Sequence, residues 1–498
     1  MSLLAHFPAT TALTADQRSA LEALQAFMAA DGPDAAQVFV LRGYAGTGKT
    51  FLMQGVAAWL RAAERTVLFA APTNRAAKVL QYRTGTEVLT LHRLLYEYAD
   101  GEHRLMGRPE HFGDAPVLVV DESSLLADFT PEGADMRFGS GQLLTDLLLF
   151  LQLDRFPGTR IVFVGDPAQL PPVGMRYSPA LSDANLRRLT RRPVAVAELT
   201  TVVRQQADNG ILTVAHAMRE AIAGRDFQPR LPLERVREVR LCNGSLLLDK
   251  YFERSPERPS GRQIILAHSN EAIRAYNREV RARYFPEAQD RVAAGDFLLV
   301  TNNLYGLETP LTNGELVQVV QTGALEKRTV RAARSTFKPV ECPLLAFTER
   351  EVIGEFHFRD ALVAVRTGDG QVRQLAVKVL ENWLLAGGDQ PFPAAAQYLL
   401  NRIAYDRFFE ANRALYYQDR ERFKSLRKQY ARTDLYANAL RCRFGYAITC
   451  HKAQGGEWDF AYVDMCAQMT RDSAEFYRWS YTAITRAKKR VYLRLNPR

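Results

Sequence analysis

Gly43-Tyr44-Ala45-Gly46-Thr47-Gly48-Lys49-Thr50 follows the pattern G-x-x-x-x-G-K-T. Its glycines let the backbone curl so that successive N–H groups face a polyphosphate. Lys49 reaches the β- and γ-phosphates, and the Thr50 hydroxyl is placed for Mg²⁺. The flanks have the order such a loop needs. Gln37-Val38-Phe39-Val40-Leu41 is a short apolar run suited to a buried strand, and Phe51 to Leu60 has helical periodicity without proline. The helix N-terminus then adds its own preference for an anion. The eight residues mark a nucleoside triphosphate binder and nothing narrower, with Gly43, Ala45, Gly46, Thr47, Gly48, Lys49 and Thr50 as the expected nucleotide contacts.

Three more apolar runs end at polar loops: Val67-Leu68-Phe69-Ala70 before Pro72-Thr73-Asn74, Val117-Leu118-Val119-Val120 before Asp121-Glu122, and Ile161-Val162-Phe163-Val164 before Gly165-Asp166. Strands buried on both faces read as continuous apolar runs, so the expected fold is α/β with a parallel sheet and its functional loops at the strand C-termini. Lys49, Asp121, Glu122 and Gln169 are expected to meet there. Triphosphate hydrolysis needs a metal held by a hydroxyl and a carboxylate, a group that positions water, and cations facing the developing phosphate charge. Thr50 and Asp121 suit the metal, and Glu122 suits the water.

The chain has 498 residues, 47% of them hydrophobic, enough for about three or four domain-sized units. A formal net charge of +10 and a pI near 9.3 favour a polyanionic partner. The five cysteines, Cys242, Cys342, Cys442, Cys450 and Cys466, form no C-x-x-C pair, which argues against a zinc site or a disulfide framework and for a reducing compartment. No segment offers some twenty uninterrupted apolar residues, and residues 1–14 lack a basic leader, so a cytoplasmic protein without membrane association is expected.

Beyond these readings, the chain resembles the superfamily 1B helicases, the RecD-like and Dda-like 5′→3′ branch. Leu13-Thr14-Ala15-Asp16-Gln17 resembles the adenine-reading Q motif, Ala71 to Ala77 motif Ia, Thr90-Leu91-His92 motif Ib, Asp121-Glu122-Ser123-Ser124 motif II and Gly165 to Gly174 motif III. Glu198 to Gln205 resembles motif IV, Ala447 to Glu457 motif V and Tyr481 to Ala487 motif VI. The resemblance implies an ATP-dependent, Mg²⁺-requiring DNA helicase built from two RecA-like domains. It also implies that Arg204 and Arg486 act as arginine fingers, and that Gln17, Gly455 and Glu457 contact the nucleotide. Pro72, Thr73, Asn74, Thr90, His92, Thr449, His451 and Lys452 are implied to grip single-stranded DNA. Read alone, His92 and His451 would more often be structural histidines, and it is the resemblance that places them on the strand. Polarity, and DNA over RNA, rest on the resemblance only.

The implied domains are a first motor domain (1–92 and 116–200), a wedge (93–115), a second motor domain (201–291 and 441–498) and an SH3-like barrel with a helical insertion (292–440). The wedge reading meets a local signal, since Tyr96 to Leu105 places Asp100-Gly101 between two short runs, as in a β-hairpin. Around Asn313-Gly314 the chain alternates apolar and polar residues, as strands of a small barrel do. From Ala395 to Tyr430 a helical period carries many cations interleaved with Tyr405, Phe408, Phe409 and Tyr416; a solvated face is the plainer reading, a nucleic-acid lining the other. The expected partners are single-stranded DNA and single-strand/duplex junctions, with single-strand-binding or replication proteins as further candidates, and the motor is expected to work as a monomer. A nucleotide-gated clamp or translocase without productive unwinding is the alternative.

Overall fold

The structure is a computed structural model that describes residues 2–8, 12–32, 35–99, 102–129, 139–203, 209–227, 231–233, 236–243, 246–334, 337–367, 370–387, 391–465 and 473–495. It divides into two compact units, Met1–Leu247 with Cys450–Arg498, and Leu248–Thr449.

The first unit opens with α1 (Ala15–Ala29), β1 (Val38–Gly43), α2 (Lys49–Ala62), β2 (Val67–Ala71), α3 (Asn74–Thr84), β3 (Val88–Thr90) and α4 (Leu91–Leu95). It continues through β4 (Tyr96–Ala99), β5 (Glu102–Leu105), β6 (Val117–Val120), α5 (Leu143–Leu151), β7 (Arg160–Gly165), α6 (Asp183–Thr190), β8 (Val194–Leu199), α7 (Gly210–Gly224) and β9 (Val239–Cys242). Six strands form one parallel sheet in the order β3-β2-β6-β7-β1-β8, as the apolar runs predict.

The period-two alternation of strands divides each run between two cores. Phe39, Leu41, Val119, Val162 and Val164 pack against α1, α2 and α3 through Leu21, Leu24, Leu52, Val56 and Leu80. Val38, Val40, Leu118, Val120, Ile161 and Phe163 pack against α5 and α6 through Leu144, Leu147 and Leu186. With both faces covered, the sheet needs apolar residues at every position, which is why no alternation shows in the sequence. Between β3 and β6 the antiparallel pair β4–β5 forms the expected hairpin, with Tyr96 opposite Leu105 and Glu97 opposite Arg104. Asp100 and Gly101 lie outside the described residues. The Tyr96 hydroxyl donates to Asp146 Oδ2 at 2.8 Å, anchoring the hairpin base to α5.

A helix, α8 (Leu246–Arg254), carries the chain into the second unit, where β10 (Gln263–Ala267) and α9 (Asn270–Tyr284) follow. Then comes an antiparallel sheet of β11 (Phe297–Val300), β12 (Leu316–Ala333), β13 (Leu345–Phe347), β14 (Glu351–Arg366), β15 (Val372–Leu380) and β16 (Cys442–Phe444). Its order is β13-β14-β12-β11-β16, with β15 on β14. Inserted before β16 are α10 (Glu381–Leu385), α11 (Ala394–Ala411), α12 (Arg413–Gln418) and α13 (Arg420–Thr433), and β17 (Ala447–Thr449) pairs in parallel with β10. The helical period expected from Ala395 to Tyr430 is thus three helices, broken at Asn412 and at Asp419, whose carboxylate caps α13 by accepting from Arg422 N.

The chain returns to the first unit with α14 (Cys450–Ala453), β18 (Trp458–Asp464), α15 (Ala474–Ile484) and β19 (Ala487–Arg494), and there β18, β19 and β9 form parallel pairs. Among the described residues no helix is long and apolar enough to cross a membrane.

Candidate active site

The glycine loop joins β1 to α2, and its shape depends on glycine at two places. Gly48 caps α2 at φ +83°, and a Cβ there would lie 2.7 Å from Gln17 Nε2 and 3.3 Å from Val203 Cγ2; Gly46 sits at φ +78°. The loop is held from outside by Tyr44 N–H donating to Leu199 O and Val203 N–H donating to Gly46 O. Lys49 Nζ folds back to donate to Gly43 O at 2.6 Å and Tyr44 O at 3.0 Å, and stands 3.9 Å from Asp166 Oδ2. Gln17, three residues into the first turn of α1, completes a capping box with Thr14 and donates from Nε2 to Thr47 O at 2.9 Å. Gln17 therefore touches the glycine loop directly.

Asp121 and Glu122 leave the C-terminal end of β6. Asp121 N–H donates to Ala70 O, and Glu122 N–H donates to Asp121 Oδ1 at 2.8 Å. Glu122 has a left-handed backbone, φ +49° and ψ +37°, a conformation that costs a non-glycine residue of order 1–3 kcal/mol and is concentrated at functional sites. Burial raises the Asp121 carboxyl, against the Glu122 N–H and Lys49, which lower it. Burial and then the Asp121 charge push Glu122 up to about 7, opposed by Arg486 and Lys49. Two carboxylates that share Lys49 while resisting ionisation suit further positive charge, such as Mg²⁺ would supply.

The loop after β7 brings the third set of groups. Asp166 is fully buried; its Oδ1 accepts from Ala168 N–H at 2.9 Å and its Oδ2 from the Tyr481 hydroxyl at 2.7 Å. Gln169 is 4% exposed, and its Oε1 is buried without a hydrogen-bond partner among the described residues. A buried acceptor left without a partner fits a site shaped for a ligand carrying donors, as a water positioned for attack would be.

α15 closes over this loop. Tyr481 accepts from Ala45 N–H at 2.8 Å while donating to Asp166, Thr482 Oγ1 accepts from Leu170 N–H at 2.9 Å, and Arg478 Nη1 donates to Pro167 O and Gln169 O. Gln454 Nε2 donates to Leu170 O at 3.1 Å. Arg486, 6% exposed, donates to Thr482 O, Thr485 Oγ1 and, at 3.4 Å, Gly456 O, so it is turned onto the end of its own helix while its charge still reaches Glu122. Arg204 lies outside the described residues. Gly455, at φ +73°, packs against Ala76, whose N would be 3.3 Å from an added Cβ, and exposed Glu457 pairs with Lys488 at 3.0 Å.

The strand-gripping candidates are spread over several loops. Thr73 Oγ1 accepts from Ala76 N–H at the start of α3, between half-buried Pro72 and Asn74. Thr90, 8% exposed, caps α4 by accepting from Arg93 N–H, and the His92 ring lies 5.9 Å from that of Tyr96. His451 and Lys452 are half-buried on α14, and Thr449 ends β17 in the second unit. The sequence reading missed Asp166, Arg478, Tyr481 and Thr482 as site residues. Their signal was present: Tyr481 and Thr482 are polar groups on a helix stretch that is otherwise buried, and buried polar groups need partners.

Residues 12–132 match the family model described as an AAA domain, and residues 444–494 match that of the UvrD-like helicase C-terminal domain. The chain is 33% identical over 203 residues to the ATP-dependent RecD2 DNA helicase of Deinococcus radiodurans, covering 40% of this chain and 24% of that protein. It is 28% identical over 331 residues to the RecBCD enzyme subunit RecD of Mycolicibacterium smegmatis, covering 57% of this chain and 54% of that one. The chain thus spans about half or less of the curated relatives it matches. Among solved structures, the Pif1 helicase of Candida albicans aligns with a TM-score of 0.48 at 16% identity, over 98% of this chain and 95% of that one. The glycine loop and the paired acids after β6 fall within the first of the two matched ranges, and α15 falls within the second.

Proposed function

We propose that this protein is an ATP-dependent DNA helicase that moves 5′→3′ on single-stranded DNA and unwinds duplex. The observation that carries the reading is the link from the glycine loop through Asp166 to α15, because it joins a phosphate-binding lobe to the segment bearing Arg486. In this reading the two parallel-sheet regions are RecA-like motor domains, the β4–β5 hairpin is the wedge and the antiparallel sheet of the second unit is the SH3-like insertion. Gln17 and the loop N–H groups bind ATP, and Gly455 and Glu457 border it. Lys49 neutralises the β- and γ-phosphates. Thr50 and Asp121 are the groups that would hold Mg²⁺, which when bound offsets charge on the phosphate oxygens.

Glu122 orients or deprotonates the attacking water, with Gln169 completing its hydrogen bonds. Arg486, and Arg204 outside the described residues, are the cations that engage the γ-phosphate only when the cleft closes, so ATP favours closure and hydrolysis releases it. Pro72, Thr73, Asn74, Thr90, His92, Thr449, His451 and Lys452 hold the strand through phosphate and sugar, which predicts sequence-tolerant, salt-sensitive binding.

The test is ATP-driven unwinding of one duplex carrying either a 5′ or a 3′ single-stranded tail, with stimulated ATPase recorded in parallel. Unwinding from the 5′ tail alone is the expected result. Stimulated turnover without strand separation on either tail would move the function to a translocase or clamp.

A further inference from the structure

The second unit holds a concentration of charge that the motor reading does not use. Residues 413–433 carry seven cationic side chains, Arg413, Arg420, Arg422, Lys424, Arg427, Lys428 and Arg432, against two carboxylates, Asp419 and Glu421. Half of the formal +10 of the whole chain therefore falls on two short neighbouring helices, α12 and α13, rather than being spread over the surface.

The structure shows where the opposing charge goes. Asp419 is committed to capping α13, Glu421 accepts from Lys424 at 2.7 Å, and on neighbouring elements Asp406 pairs with Arg402 at 2.8 Å and Asp434 with Arg407 at 2.9 Å, while Glu410 of α11 is exposed. Arg420 and Arg427 lie over the rings of Tyr416 and Tyr405 at 5.2 and 5.8 Å. Lys424, Lys428 and Arg432 remain exposed at successive i, i+4 positions, a line of about 12 Å along α13. Like charges at that spacing oppose the helix that carries them, and a merely solvated face would relieve the repulsion with interleaved Glu. Only Glu421 is there to do so.

We propose that this exposed ridge of α13 docks the phosphate backbone of duplex DNA. The aromatic side chains decide between duplex and single strand. Phe423 is buried beneath the ridge and packs with Phe408, Phe409 and Tyr416, and Tyr430 packs on Phe408, so no exposed ring lies within the row Lys424–Lys428–Arg432; the exposed Tyr417 belongs to α12. A rigid row of point charges without stacking platforms matches phosphates held at fixed spacing and reads no sequence. This assignment rests on the DNA-motor reading and adds to it a second contact, made by residues that take no part in binding ATP.

The experiment measures affinity of the full chain for a blunt duplex of about 20 base pairs over a range of salt, without nucleotide, and compares it with a single strand of equal length. Lys424→Ala, Lys428→Ala and Arg432→Ala are combined in one variant, and Arg274→Ala, Arg278→Ala and Arg283→Ala on α9 serve as a control of equal charge. The ridge variant is expected to lose at least tenfold in duplex affinity near 0.1 M salt and about two to three from its log–log salt slope, while single-strand affinity, melting temperature and DNA-free ATPase stay with wild type. Equal losses in both triple variants would overturn the proposal by showing a diffuse charge effect. So would a loss confined to the single strand, or a loss of binding to anionic phosphatidylserine vesicles with duplex binding intact. Wild type that binds duplex through the ridge yet fails the tailed-duplex assay would sink the motor reading alone.

Discussion

The Tyr481 hydroxyl donates to Asp166 Oδ2 at 2.7 Å and accepts from Ala45 N–H at 2.8 Å, so one side chain on α15 joins the glycine loop to the loop after β7. All three groups are buried or half-buried, and burial with the Asp166 charge raises the phenol well above its ordinary range, fixing it as the donor. Tyr481→Phe keeps the ring and removes both bonds, leaving Asp166 Oδ2 without the donor it has now. Such an orphaned acceptor costs about 1–3 kcal/mol. DNA-stimulated turnover is expected to fall about 5- to 160-fold, with nucleotide affinity changed less, which steady-state kinetics and equilibrium titration of a fluorescent nucleotide would separate. Equal falls in stimulated and unstimulated turnover would assign Tyr481 to folding rather than to coupling.

Lys49 and Arg486 differ in what they face. Lys49 lies inside the glycine loop, 2.6 Å from Gly43 O, whereas Arg486 rests on the end of α15. Lys49→Ala is expected to abolish turnover and strongly weaken nucleotide binding, whereas Arg486→Ala keeps binding and loses turnover by about three orders of magnitude. Chelating Mg²⁺ should bring wild type to the Lys49→Ala rate. Near-normal stimulated ATPase in Arg486→Ala would remove the finger assignment.

How far the sequence carried is seen by comparing these residues. The glycine loop and the acids after β6 were legible because their chemistry demands fixed residue types at fixed spacing, next to strands whose burial on both faces leaves an unbroken apolar run. Tyr481, Thr482 and Arg478 were not. On a helix whose residues from Phe476 to Ile484 are almost all buried, a tyrosine reads as core, and only its partners in space, 315 residues away at Asp166, reveal the polar role. The second unit shows the other limit. The Asn313-Gly314 turn was visible, but the full lengths of the 18-residue β12 and 16-residue β14 were not, because register shifts break the alternation of β12 between Val319 and Leu325, and beyond them polar Glu326 and Arg328 take half-buried positions. The basic period from Ala395 to Tyr430 was visible as helix, while its division between ion-paired and unpaired cations depends on which acids act as caps.

Gly55 illustrates a glycine kept for space rather than for backbone freedom. It sits inside α2 flush against the Phe7 ring, which a Cβ would strike. Alanine is favoured in a helix by about 0.8–1 kcal/mol, but forcing a methyl into a filled core costs about 1–3 kcal/mol. Gly55→Ala is therefore expected to be net destabilising by up to about 2 kcal/mol, read as a lower urea midpoint. A higher midpoint would show that Phe7 moves away freely.

Asp16 ties the start of α1 to the end of β8, since its carboxylate accepts from Thr200 N–H at 2.7 Å and Thr201 N–H at 2.8 Å. Burial raises its pKa, but the Thr14 hydroxyl and the backbone N–H donors outweigh it, so the folded value lies below the usual 3.8. A carboxylate lowered by folding adds stability above its unfolded pKa and loses it as the pH drops through the lower folded value. Asp16→Asn should accordingly lower the melting temperature at pH 7, by an amount that shrinks as the pH falls below the usual carboxylate range, as scanning calorimetry would register. A variant as stable as wild type at pH 7 would mean that the amide oxygen serves the two N–H groups equally well.

In the second unit the Arg281–Asp296 pair is nearly inaccessible, at 3% and 0% side-chain exposure. Arg281 Nε and Nη2 donate to the two carboxylate oxygens at 3.0 and 3.1 Å, the Tyr446 hydroxyl donates to Oδ1 at 2.6 Å, and Ala293 N–H donates to Oδ2 at 2.8 Å. The same guanidinium reaches Ala288 O and Arg291 O and lies 4.0 Å from the Phe444 ring. This network therefore fixes α9, β16 and the turn before β11 to one another. Taking away one charge of a buried pair leaves the other uncompensated, at about 3–5 kcal/mol, whereas an exposed pair such as Arg402–Asp406 contributes less than about 1 kcal/mol. Asp296→Ala should thus lower the urea midpoint far more than Asp406→Ala does. Equal, small shifts would show that water reaches Arg281 once its partner is gone and that the network's weight lies in the Tyr446 and backbone bonds instead.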